Sequence, residues 1–138
     1  MKKEKDIKEV INYWIEKSIE SLNAAKDELK AGRLSFSVNR IYYSCFYIVN
    51  ALLLQRGLKF RKHSGVRSAF HKHIVKTGLV EPEEGMFYDE LFEARQRGDY
   101  IELVQFEKRQ VTKWLEMSNK FVEKMRNLIK NTEQSDKC

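Results

Sequence analysis

Between Ser35 and Gln55 the chain is apolar on nearly every side of a helix: Phe36, Val38, Ile41, Tyr42, Cys45, Phe46, Ile48, Val49 and Leu52 to Leu54 leave little polar surface. Such a segment cannot stand at a surface, so it predicts a bundle with a surrounded central helix. Its neighbours are amphipathic instead. From about Lys5 to Lys30, Ile7, Val10, Ile11, Trp14, Ile15, Leu22, Ala25 and Leu29 recur at helical steps. Val111, Trp114, Leu115, Ser118, Phe121, Val122, Met125, Leu128 and Ile129 do the same between Gln105 and Lys130. Each stripe covers one side of the central helix and leaves charges for solvent. With one proline and six glycines in 138 residues, few positions stop a helix. The prediction is a single domain, 1–138, folded as an all-α, up-and-down antiparallel bundle of four to five helices.

The stops fall where a bundle needs them. Gly32, Gly57, Gly78 and Gly98 each follow a periodic segment, the position where a left-handed residue ends a helix. Ser64 reads as the N-cap of a shorter helix running to about Lys76. Pro82 with Glu81, Glu83 and Glu84 reads as the start of the next, since proline loses nothing in a first turn and acids suit the positive dipole end. Residues 131–138 are expected to fray.

Cys45 lies in the apolar run and Cys138 at the last position, which is no disulfide framework, so a reducing, cytoplasmic setting is expected. No signal-peptide core is visible near Met1. The longest apolar run, broken by Asn39, Arg40, Ser44 and Asn50, falls well short of the ~20 residues that span a membrane. His71 and His73, two apart, face different sides of a helix and lack a Cys pair or an H-x-x-x-H companion, so neither a metal nor a cofactor is expected.

Charge is distributed unevenly. The formal net charge is +6, yet no Asp or Glu occurs between Glu28 and Glu81, an interval that holds ten Lys and Arg and all three histidines. A local excess of one sign raises the potential that phosphates feel, which points to a polyanion such as RNA or a nucleotide. A solvated basic face with no ligand is the alternative. Within the interval, Arg40, Tyr43 and Tyr47 share one stripe of the central helix and could grip a phosphate or stack on a base. Arg40 could equally be a buried residue that pairs helices. Arg61, Lys62 and His63 precede the start of the third helix, where unpaired N–H groups favour an anion, and Arg67 lies one turn further on. An ordinary solvated loop is the competing reading.

The ordered segments SFSVNRIYYSCFY, ALLLQRGLKFRKHSGV and EARQRGDY resemble the signatures of the HEPN family, in its small stand-alone branch, from about Ile15 to Leu128. The resemblance implies a HEPN-like bundle, a homodimer, and one component of a toxin-antitoxin-like module paired with a nucleotidyltransferase. It also implies a metal-independent endoribonuclease activity, for which the family uses an arginine and a histidine with four to six residues between them. Arg56 with His63, and Arg67 with His73, have that spacing but lie around the third helix, whereas the family places the motif before the final one. The segment in that place is Arg95, Gln96, Arg97, Gly98, Asp99, Tyr100, with Asp99 where a histidine is needed. A carboxylate of ordinary pKa about 4 accepts a proton at pH 7 but is a poor donor. Asp99 could instead cap a helix or pair with an arginine. The candidate catalytic set is therefore Arg95, Arg97, Asp99 and Tyr100, with Tyr100 also the tyrosine a nucleotidyltransferase partner would modify. A third class, a protein-interaction subunit, would need an exposed apolar patch, for which Phe36, Tyr42, Tyr47 or Phe60 could serve.

Overall fold

The computed structural model describes the backbone of residues 2–100 and 105–136, and the side chains of 6–98 and 105–130. Five α-helices make up the described chain, with no strand among them: α1 (Lys2–Lys30), α2 (Leu34–Gln55), α3 (His63–Phe70), α4 (Pro82–Tyr100) and α5 (Lys108–Asp136). A π-helical turn, His71–Val75, continues α3.

α1 and α2 pair antiparallel at short range because small residues line their seam. Ser18 Oγ donates to the Ser44 carbonyl at 2.7 Å, Ser21 Oγ to the Arg40 carbonyl at 2.7 Å, and Ser37 Oγ to the Ala25 carbonyl at 2.8 Å. Each hydroxyl satisfies its hydrogen bond across the interface, so burying these polar groups costs little. The remaining surface of α2 is enclosed as its sequence requires. Ile41, Tyr42, Cys45, Ile48, Val49, Leu52 and Leu53 are buried against α4 and α5, where Tyr88, Leu91, Phe121, Met125 and Ile129 complete the core. The Trp114 indole N–H donates to Glu90 at 2.8 Å and Lys124 to Glu84 at 2.7 Å, which holds α4 and α5 antiparallel.

The helix stops at Gly32, Gly57 and Gly78 are as expected, all at φ near +80°. At the first of them Arg33 N–H bonds the Glu28 carbonyl and Gly32 N–H the Leu29 carbonyl, satisfying carbonyls that the helix end leaves open. Four boundaries differ from the sequence expectation. α3 begins at His63 with Lys62 as its N-cap and no capping side chain, so Ser64 is already inside the helix. The expected run to Lys76 is interrupted after Phe70 by the π turn, closed by Lys76 N–H on the His71 carbonyl at 2.9 Å. At the start of this turn the His71 ring lies against α4, where Nε2 meets Asp89 at 2.9 Å. The ring lies so close to Gly85 that a Cβ there would fall 2.8 Å from it. Gly98 does not end α4, which runs to Tyr100. Its missing side chain instead admits the Phe106 ring, 3.0 Å from where a Cβ would stand. The backbone of α5 continues to Asp136, past the expected end at Lys130, since no proline or glycine follows.

Candidate functional site

The site is organised by Tyr42, which has no exposed surface and sits where α2 meets α3 and α4. Its ring lies 6.1 Å from both Tyr88 and Phe92. Its hydroxyl hydrogen-bonds His63 Nδ1 at 2.7 Å. Burial pushes the phenol up to about 12, so it keeps its proton at any physiological pH. His63, the first residue of α3, lies flat on Phe46 at 4.2 Å with an interplanar angle of 9°, and edge-on to Tyr43 at 5.7 Å. With Nδ1 engaged by Tyr42, Nε2 bonds no described residue and is the nitrogen left for a ligand.

Arg95, from α4, completes the group. Its guanidinium lies 5.2 Å from the Tyr42 ring centroid and 5.2 Å from that of Tyr43, a cation–π arrangement on two rings. It also acts on His63. Burial first, and then the Arg95 charge, hold the imidazole below its ordinary 6.5. His63 and Arg95, expected separately as a phosphate ligand and a catalytic residue, therefore share one site built from α2, α3 and α4.

The sign of the His63 shift gives a test. Because the folded value is depressed, the unfolded chain takes the proton first as pH falls. The stability attached to neutral His63 is complete above pH 6.5 and declines as pH drops through the lowered value. An NMR titration should place the His63 midpoint below 6.5, and unfolding midpoints should fall on acidification less in His63→Gln than in wild type. A His63 midpoint above 6.5 would contradict the geometry described.

The other candidates are distributed as follows. Arg40, Tyr43 and Tyr47 share one face of α2, with Arg40 exposed and the tyrosines half-buried, so Arg40 is not the buried pairing residue of the alternative reading. Arg61 and Lys62 are exposed in the loop that leads into α3, and Arg97 is exposed on α4. Arg67 is engaged: Nε meets Asp89 at 2.7 Å, Nη2 approaches Glu93 at 3.9 Å, and the guanidinium lies 4.6 Å from the Phe92 ring centroid. The same Asp89 oxygen binds His71, so Arg67 works with His71 rather than with His73. Asp99 and Tyr100 lie outside the described side chains. Tyr42, expected among exposed aromatics, is instead wholly buried, because α3 and α4 close over that side of α2. Phe36 and Phe60 are exposed, at 61% and 37%.

The acid-free interval keeps most of its charge. Arg33 is paired with Glu28 at 2.7 Å and Arg67 with Asp89. Among the described residues no ion pair reaches Arg40, Arg56, Lys59, Arg61 or Lys62. No group of three or more His, Cys, Asp or Glu that could hold a metal occurs among them. No described helix is long and apolar enough to cross a membrane. Cys45 is buried and its thiol is pushed up to about 12, well away from nucleophilic use at neutral pH.

The comparisons agree with this architecture. The HEPN domain model matches residues 11–128. A "UPF0332 protein" of Thermotoga maritima is 47% identical over 126 residues, covering 91% of this chain and 96% of that one. Two proteins of Methanocaldococcus jannaschii named "Putative toxin" are also similar. One is 33% identical, with 88% of this chain and 83% of the relative covered. The other is 35% identical, with 70% and 72% covered. The chain belongs to the HEPN domain family.

Proposed function

We propose that this HEPN protein is the toxin-like component of a two-gene module and that it binds RNA or a nucleotide through the Arg95–His63 site and the basic loop beside it. The observation that carries the proposal is the Arg95 guanidinium packed on Tyr42 and Tyr43 next to a histidine whose Nε2 bonds no described residue. A planar cation on aromatic faces attracts a phosphate, and the neighbouring imidazole offers a polar contact beside it. Arg61 and Lys62, which reach no described carboxylate and lie one or two residues before His63, add long-range attraction. The names of the two Methanocaldococcus jannaschii relatives support the toxin-like assignment. The family resemblance adds a cytoplasmic homodimer and a nucleotidyltransferase partner to the proposal.

The neutral state of His63 favours a second reading, metal-independent cleavage. An unprotonated Nε2 can take the proton of a ribose 2′-hydroxyl. The 2′-oxygen then bonds to phosphorus while the 5′-oxygen leaves and takes the proton back from His63 Nε2, giving a 2′,3′-cyclic phosphate and a 5′-hydroxyl. Arg95 offsets the extra negative charge on the phosphorane. That role requires the imidazole proton on Nδ1, donated to the Tyr42 oxygen.

Charge reversal tests the binding proposal. Arg61→Glu combined with Lys62→Glu should lower RNA affinity about 10-fold or more at low salt and flatten the salt dependence, read by fluorescence anisotropy. Affinity equal to wild type at low salt removes the loop from the interface.

A further inference from the structure

The side of the α1–α2 hairpin that leads away from Arg95 carries a continuous row of rings that begins in the site and runs beyond it. His63 and Tyr43 are 5.7 Å apart, Tyr43 and Tyr47 5.5 Å, Tyr47 and Trp14 5.5 Å at an interplanar angle of 25°, and Trp14 and Tyr13 5.4 Å. The row crosses from α3 over α2 to α1. Its outer end is open: Tyr13 is 51% exposed, and Trp14, Tyr43 and Tyr47 are half-buried rather than enclosed.

Cations are set between these rings. Lys17 Nζ lies 5.7 Å from the Tyr13 ring centroid. Arg40, exposed on α2 three residues before Tyr43, stands on the same face as Tyr43 and Tyr47. Lys17 also approaches Glu20 at 3.6 Å, but an ion pair this exposed is weak and readily exchanged for a phosphate. With Arg95 on Tyr42 and Tyr43, positive groups stand at both ends of the row and at its middle.

We infer that this face, Tyr13, Trp14, Lys17, Arg40, Tyr43 and Tyr47, is a platform on which the unpaired bases of an RNA strand stack while one of its phosphates lies at Arg95 and His63. The inference rests on the RNA-binding proposal above and adds to it the strand class. A single strand exposes base faces to aromatic rings and a phosphate at every step to the cations, whereas a duplex hides its base faces in the stack. A purely apolar partner would gain nothing from Lys17, Arg40 and Arg95. A purely electrostatic one would gain nothing from the rings.

The experiment compares a short unstructured RNA with a blunt duplex of equal phosphate count, in wild type, Tyr13→Ala, Tyr13→Phe and Arg95→Ala. Tyr13 is half-exposed, so its replacement leaves the core intact. The unpaired strand should bind more tightly than the duplex and quench the emission of Trp14. Tyr13→Ala should weaken binding of the unpaired strand about 5-fold or more, with duplex binding unchanged and the loss restored in Tyr13→Phe. If Arg95→Ala weakens RNA binding while Tyr13→Ala does not, the platform is refuted and the Arg95–His63 site stands. If wild type binds neither RNA, the RNA-binding proposal itself is refuted. An apolar groove of about 420 Å³, lined by Ile7, Val10, Trp14, Leu54, Leu58 and Phe60, borders the same tryptophan. Should Tyr13→Ala shift the sedimentation of the protein without changing RNA affinity, the face belongs to a contact between copies of the chain and the inference falls.

Discussion

Phe70→Ala is expected to remove about 3–5 kcal/mol of stability, the cost of deleting a buried phenyl ring and leaving part of its volume empty. Phe70 has no exposed surface and touches three elements at once. Its ring lies 5.3 Å from Tyr88 on α4, 5.7 Å from Phe121 on α5 and 6.1 Å from His71 in the π turn. These partners are rigid aromatic rings on separate helices, so they cannot close the gap without moving the helices. Domains hold about 5–15 kcal/mol in total, so the loss is a large share. Urea unfolding followed by far-ultraviolet circular dichroism measures it, with the midpoint falling and the slope unchanged. A cost below about 1 kcal/mol would mean that the three-way ring contact does not exist in solution.

Arg95→Ala is expected to have the largest effect on RNA, a loss of about 10- to 100-fold in affinity, as for a charge-assisted hydrogen-bonded contact worth about 1.5–3 kcal/mol. Arg95→Lys should recover only part of it, because an ammonium keeps the charge but neither the plane that packs on Tyr42 and Tyr43 nor the paired donors. Arg95→Ala also removes the cation that helps hold His63 down. In Arg95→Ala the histidine midpoint should therefore rise, and in wild type a bound phosphate should raise it too. Cleavage is read on the same samples with a chelator present. If the chain cuts RNA by the route proposed, both Arg95→Ala and His63→Gln abolish the cyclic-phosphate product. His63→Gln cutting as well as wild type would remove the histidine from the chemistry, and full RNA affinity in Arg95→Ala would move the site elsewhere.

Much of the fold is legible in the chain because its signals are local. The all-round apolar stretch of α2 and the stripes of α1 and α5 depend only on spacing along one helix, and Gly32, Gly57 and Gly78 depend only on a positive φ. Three of the four misread boundaries have a cause outside their own helix. Gly98 has the look of a stop, but it is the Phe106 ring that requires a residue without a side chain there. Ser64 looks like a cap, but α3 starts one residue earlier, at the histidine that meets Tyr42. The π turn follows no pattern of residues, and His71 at its start meets Asp89 on α4.

The site was legible only in pieces. Arg95 and His63 were both candidates, in different roles, because their types suit phosphate chemistry. Their meeting depends on the packing of α3 and α4 over α2. Tyr13 and Lys17 gave no signal, since an exposed tyrosine and lysine on an amphipathic helix are ordinary in sequence. Trp14 could be placed only in a buried stripe. A periodic tyrosine pair on α2, Tyr43 and Tyr47, was the one hint that rings continue outward.

The sequence by itself determined the helices, their order and the acid-free interval, since periodicity, glycine stops and the run of charges are properties of neighbouring residues. Only the tertiary structure decided which charges stay open and which are neutralised. Arg67 is paired by Asp89, while Arg61 and Lys62 reach no described carboxylate. Tertiary packing also buried Tyr42 and set Arg95 beside His63. These outcomes depend on distances between helices, which side-chain volume at the α1–α2 and α2–α4 seams sets and no local pattern encodes.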